Sequence, residues 1–190
     1  MEKVILIFVL FFQLTFSFCQ QKEELSIFKN TKNWKREIIK FPIDWAPGLK
    51  VIGFEELLFS PEWSTPKNNQ FWSLVIGWKI NAESFLTLKE IKYNLKNYFD
   101  GLMKPNHWAV SFPNPKIHLI SNSNNKFTGQ MKFFDGFHTG KTITVNILIE
   151  QYLCRKQHKA IIVFRVSPKS FQHNIWKDLN GFELNRKNCN

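Results

Sequence analysis

The chain has 190 residues, with 26 Lys and Arg against 15 Asp and Glu and a formal net charge of +11. That length carries one domain with a sizeable core and argues against two. The positive balance points toward anionic partners, although the lysines are scattered, as they are on a solvated surface.

The N-terminus reads as an export signal. Lys3 precedes the unbroken apolar run Val4 to Phe12, and the segment ends Ser17-Phe18-Cys19-Gln20. The run is too short to span a bilayer comfortably, and Ser17 and Cys19 are small residues placed as at a signal-peptidase site. Residues 1–19 are therefore expected to be a signal peptide cleaved after Cys19, leaving a periplasmic or secreted protein. An uncleaved anchor is one alternative. Lipid modification of Cys19 is another, disfavoured because Phe18 stands where that processing takes a small residue. Removing the segment takes away Glu2 and Lys3, so the net charge stays at +11. In an exported protein the partner expected from this charge is an anionic envelope component or an acidic protein, and not nucleic acid.

Residues 20–47 show no clear period. Trp34, Ile38, Ile39, Phe41 and Trp45 are interspersed with Lys and Pro, which predicts an N-terminal arm lying on a single domain over 48–184. Leu49 to Phe59 reads as the first strand, and Ser60-Pro61 begins a turn-rich loop. Phe71 to Ile80 alternates as a second strand, with Trp72, Leu74, Ile76, Trp78 and Ile80 on one face. Thr87 and Glu90 then form a capping box. Leu88, Ile91, Leu95, Tyr98 and Leu102 follow at helical spacing, and Asp100-Gly101 is the expected stop.

After Pro105, Pro113 and Pro115 the period returns to two. Strands are expected over Lys116–Ile120, about Phe127–Phe133, about Thr142–Glu150 and about Ala160–Val166, with turns at 122–125, 135–140 and 155–158. Ser170 is expected to cap a last short helix carrying Phe171, Ile175 and Leu179, before a tail over 185–190. The class is α+β: a curled antiparallel sheet of about six strands on one long helix, in the order β-β-α-β-β-β-β-α. A closed barrel is the alternative.

Three segments resemble a family of uncharacterised exported bacterial proteins. They are Gly53-Phe54-Glu55-Glu56-Leu57 running to Pro61, the helix entry Leu86-Thr87-Leu88-Lys89, and Val166-Ser167-Pro168 followed by Ile175-Trp176-Lys177. The resemblance covers most of the expected mature domain. It implies export and the domain boundaries, and no residue role.

Several residues are candidates for chemistry. Glu55 and Glu56 are strand neighbours pointing to opposite faces, so only one can enter a pocket. A glycosidase would need a second carboxylate, such as Asp135 or Asp100. His107 and His138 could each be a general base if a carboxylate oriented them. The five histidines show no zinc-binding spacing, and no metal or cofactor is expected. Cys154 and Cys189 can form a disulfide in an oxidising compartment, or Cys154 can be buried with Cys189 loose in the tail.

The one excess in composition is aromatic, at 16% with seven Trp and twenty Phe. Trp45, Trp63 and Trp108 lie in loops near Pro, where a ring can stack on a ligand or fold back over the sheet ends. Three functions follow as expectations. The first is a non-catalytic envelope protein binding a partner, acyl or sugar ligand. The others are a hydrolase of envelope polymer and an exported inhibitor or immunity-type protein.

Overall fold

The computed structural model of the chain describes residues 25–104, 113–123, 125–185 and 189. The expected signal peptide and its cleavage site, together with His107 and Trp108, lie outside the described residues.

The protein is α+β, built on one seven-stranded antiparallel sheet. Its strands are β1 (Lys35–Phe41), β2 (Gly53–Phe59), β3 (Leu74–Asn81), β4 (Lys116–Ser123), β5 (Lys126–Asp135), β6 (Lys141–Cys154) and β7 (Lys159–Ser167). A long helix α1 (Leu88–Met103) follows β3, and a short helix α2 (Ile175–Asn180) follows β7. The spatial order is β1-β2-β3-β7-β6-β5-β4, so β3 pairs with β7 while α1 carries the chain across to the far edge.

The strand count and element order differ from the sequence expectation because β1 falls inside the segment read as an arm. Lys35, Arg36, Glu37 and Lys40 interrupt its apolar alternation. Charge of this kind is how an edge strand discourages pairing with other chains, and it also hides the strand from a search for period two. The sheet has two edges, β1 and β4, at opposite ends of the order.

Boundaries shift for local reasons. The second strand starts at Leu74 and not at Phe71, because Trp72 takes a left-handed φ of 49° that turns the chain. Helix α1 runs through Asp100-Gly101 to Met103. Gly101 is there for close approach: a Cβ on it would fall 2.3 Å from the Trp45 carbonyl oxygen. At the other end of α1 the capping box forms as expected, with the Thr87 hydroxyl accepting from Glu90 N–H and the Glu90 carboxylate accepting from Thr87 N–H at 2.8 Å. Those bonds from Thr87 hold the Glu90 carboxyl below its ordinary range. Helix α2 begins only at Ile175 and has no side-chain cap. Ser170 instead gives its carbonyl to His173 N–H in the turn before it.

The two faces of the sheet are covered differently; the one toward α1 is labelled concave and the opposite one convex. The concave face carries Leu57, Leu74, Ile76, Trp78, Met131, Val145, Ile147 and Phe164, packed against Ile91, Leu95, Tyr98 and Phe99 of α1. This is the main core. On the convex face a second cluster joins Phe54, Leu58, Val75, Ile161 and Val163 to Trp176 and Leu179 of α2 and to Ile27 and Phe28. Gly77 on β3 leaves the space these last two fill, since a Cβ there would sit 2.9 Å from Ile27. The two ends of the chain meet on this face, where Lys29 N–H donates to Glu183 and Asn185 N–H donates to Ile27. Over β4, β5 and β6 the convex face is left largely to polar and exposed residues such as Lys116, His118, Gln130, Lys132 and Thr144.

Candidate functional site

A chamber of about 200 Å³ lies between the concave face of β1–β3 and helix α1. Its walls are Leu57, Phe59, Leu74 and Ile76 from the sheet and Tyr98, Phe99 and Leu102 from the helix. Trp63, Trp72 and Phe137 close one end, and Lys35 and Glu37 of the edge strand also line it. Lys35 and Glu37 are exposed, so charge stands at the rim while the interior is apolar.

Two loops deliver the aromatic end. In the first, Ser60 N–H donates to Ser73, Trp63 N–H to Ser60 and Trp72 N–H to Trp63, so the segment folds back on itself. Trp72 adopts its left-handed backbone here, a conformation that is a genuine outlier for a bulky residue. In the second loop the buried Asp135 carboxylate accepts from the N–H groups of Phe137, His138 and Thr139 and from the Thr139 hydroxyl. That turn swings His138 edge-on to Trp63, with ring centroids 4.8 Å apart, and lays Phe137 parallel to Trp72 at 6.2 Å. Burial holds the His138 imidazole below its ordinary pKa, opposed by the charge of Asp135.

Beneath the opposite end sits Glu55, fully buried. It accepts from the Tyr98 hydroxyl at 3.1 Å and from the Trp78 indole N–H at 3.2 Å. Burial raises its pKa from 4.5 to about 8; the two hydrogen bonds pull the other way, and the charge of Glu37 adds to the rise. Glu55 is therefore chiefly a neutral acid at pH 7. Burial and Glu55 together push the Tyr98 phenol upward as well.

Glu56 faces the convex side and is no part of the chamber. Its carboxylate accepts from Ile27 N–H at 2.5 Å, from Phe28 N–H at 3.1 Å and from Arg36 Nε at 2.7 Å. It fastens the N-terminal segment to the sheet.

The remaining sequence candidates are dispersed. Trp63 lines the chamber, whereas Trp45 packs on the outside of Tyr98 at 5.3 Å. Asp135 is committed to its turn, and Asp100 pairs with Lys104. Among the described residues no histidine hydrogen-bonds to Glu55 or Glu56, and no cluster of His, Cys, Asp and Glu could hold a metal ion. Cys154 and Cys189 are joined as a disulfide, with Cα atoms 4.8 Å apart. Sequence reasoning passed over Trp72 and Tyr98, both assigned to the core by their spacing. Nothing in the sequence signals the left-handed turn at Trp72 or the pairing of Tyr98 with Glu55.

Comparison of the chain with protein-family models, with curated proteins and with solved structures finds no match.

Proposed function

We propose that the protein is an exported envelope protein that binds a small apolar or acyl-type ligand in the chamber under α1, without transforming it. The observation that carries this reading is the chamber itself, an apolar volume of about 200 Å³ with aromatic rings at one end. A cavity of about 150 Å³ lined by apolar side chains admits benzene, so this one has room for roughly eight non-hydrogen atoms. The neutral state of Glu55 supports the same reading, because an ionised carboxylate under an apolar chamber would be costly. Sugars fit less well. Their hydroxyls need several polar partners, and the Tyr98 hydroxyl is already given to Glu55. A disulfide belongs to an oxidising compartment, which supports export.

The test is titration with benzene, followed by methyl resonances of Leu57, Leu74, Ile76 and Leu102. Saturable shifts at these methyls are expected in the native protein and should be lost in Leu102→Trp, which fills the space. Unmoved methyls at saturating benzene would end this reading.

One observation favours a second surface. Lys116 and Lys132 are direct cross-strand partners on the open half of the convex face, and like charges so placed repel. An acidic protein or anionic envelope component would relieve that repulsion. Binding to an acidic polymer that weakens with salt and with Lys132→Glu would support this second role.

A further inference from the structure

The two edges of the sheet are protected unequally. On β1, Lys35 and Glu37 stand on one face and Arg36 and Lys40 on the other, and charge so placed discourages a further strand. On β4, by contrast, Lys116 opens the strand and no Lys, Arg, Asp or Glu follows from Ile117 to Ser123. Its pairing with β5 is regular from Lys116 to Ser121, and a bulge comes only at Ser121–Ser123. Among the described residues nothing pairs with the outer side of β4. A row of backbone N–H and C=O groups there is open to another strand. Ile120 adds an apolar side chain that is 55% exposed.

Beside this edge the uncovered convex face is cationic. Lys116 and Lys132 are cross-strand partners, Thr144 stands next to Lys132 on β6, and His118 and Gln130 form the adjoining row. These five and Ile117 line a shallow depression of about 250 Å³ that no carboxylate enters. Glu150, which shares the face, is already engaged by Lys126 and Arg165. Among the described residues Lys116, His118 and Lys132 enter no ion pair.

We infer that β4 receives an extended acidic segment of another protein, which adds as an eighth strand and sets carboxylates over Lys116, His118 and Lys132. The inference rests on the open convex face being a binding surface, and it names the partner. An added strand lies about 4.8 Å beyond β4 and alternates its side chains with the same period. Its residues beside Lys116 and His118 face the cationic depression. Those beside Ile117 and Leu119 extend the apolar concave side. The partner segment therefore alternates acidic with apolar residues and sets one apolar residue against Ile120. An acidic polysaccharide has no row of amides to pair with the edge. A second copy of this chain would bring a net charge of +11 and the same lysines to the contact, so charge complementarity selects an acidic partner.

The test offers three probes to the disulfide-intact protein. One is a capped peptide alternating glutamate with valine and as long as β4. The second has the same composition with its glutamates in one block, and the third is polygalacturonate. Affinities come from calorimetry, and amide hydrogen exchange reports the β4 backbone directly. The alternating peptide is expected to bind more tightly than the blocked one and to slow exchange along β4. It should bind about fivefold more weakly to Lys132→Glu, the effect of one exposed charge pair. Equal binding of the two peptides, or binding that Lys132→Glu leaves unchanged, would overturn the inference. So would polygalacturonate binding more tightly than the peptide without protecting β4, which would leave the face to an anionic polymer. Protection of β4 that grows with protein concentration alone would give the edge to a second copy and overturn it as well. If none of the probes binds, the second surface and this inference fall together. Lys132 is exposed, and the exchange is read in the native protein, so neither readout depends on a variant that disturbs the core.

Discussion

Glu55 and Glu56 are neighbours on β2, both fully buried, and the two sides of the sheet use them in opposite ways. On the concave side Glu55 meets only a phenol and an indole, and burial makes it a neutral acid. On the convex side Glu56 meets Arg36 and two backbone N–H groups, an arrangement that compensates a full charge. The difference separates two environments. The concave side keeps an uncharged space open, whereas the convex side spends its polar contacts on holding both ends of the chain in place.

That contrast can be broken one side at a time. The largest effect is expected at Glu55. Its carboxyl is protonated in both folded and unfolded chains below pH 4.5, so it has no influence on stability there. As pH rises, the unfolded chain ionises first and gains, and native stability falls until the folded group also ionises near pH 8. Glu55→Gln should remove this loss, stabilising the protein by up to roughly 4–5 kcal/mol above pH 8 relative to wild type, and should change little at pH 4. Parallel stability–pH curves for the two proteins would show that Glu55 is not held neutral.

On the other side, Glu56→Ala removes one carboxylate from Arg36 and takes the acceptor from the buried N–H groups of Ile27 and Phe28. A loss of about 3–5 kcal/mol is expected, read as a shift in urea midpoint. An amide exchange experiment should place the opening first at Ile27 and Phe28. If exchange rises instead around the chamber, the two faces are not separable.

Cys189→Ser tests the same convex side from the C-terminal end. The disulfide closes a loop of 35 residues, which the loop-entropy model values at roughly 4 kcal/mol, with measured cases often lower. The loss should match that of wild type under reducing agent. The smallest effect is expected at Thr87→Ala, which removes the α1 cap at a cost of about 1 kcal/mol. Since α1 roofs the chamber, the same variant should loosen chamber methyls more than convex-face methyls. A uniform response would mean that the roof is not a local unit.

Much of the concave side was legible in the sequence. The alternation of Leu74 to Ile80 and of the last four strands, the capping box at Thr87, and the spacing of Ile91, Leu95 and Tyr98 are local patterns with local causes. Strand periodicity also required Glu55 and Glu56 to face apart. The site was less legible. β1 was hidden by the charges that suit an edge, and with it the Lys35 and Glu37 rim. Trp63 was marked as a loop aromatic, but its partners Trp72, Phe137 and His138 come from turns whose geometry depends on distant bonds. Asp135 seemed available for catalysis until its turn claimed each of its acceptors.

The sequence by itself determined the secondary structure of most of the chain and the side of the sheet to which each strand residue points, because these depend on the backbone period and nearest neighbours. Only the tertiary structure decided that Glu55 is neutral, that the Trp72 indole N–H has no partner among the described residues, and that a chamber separates sheet from helix. Those properties arise from desolvation and from cavities, and both are set by which residues distant in sequence come to surround a group.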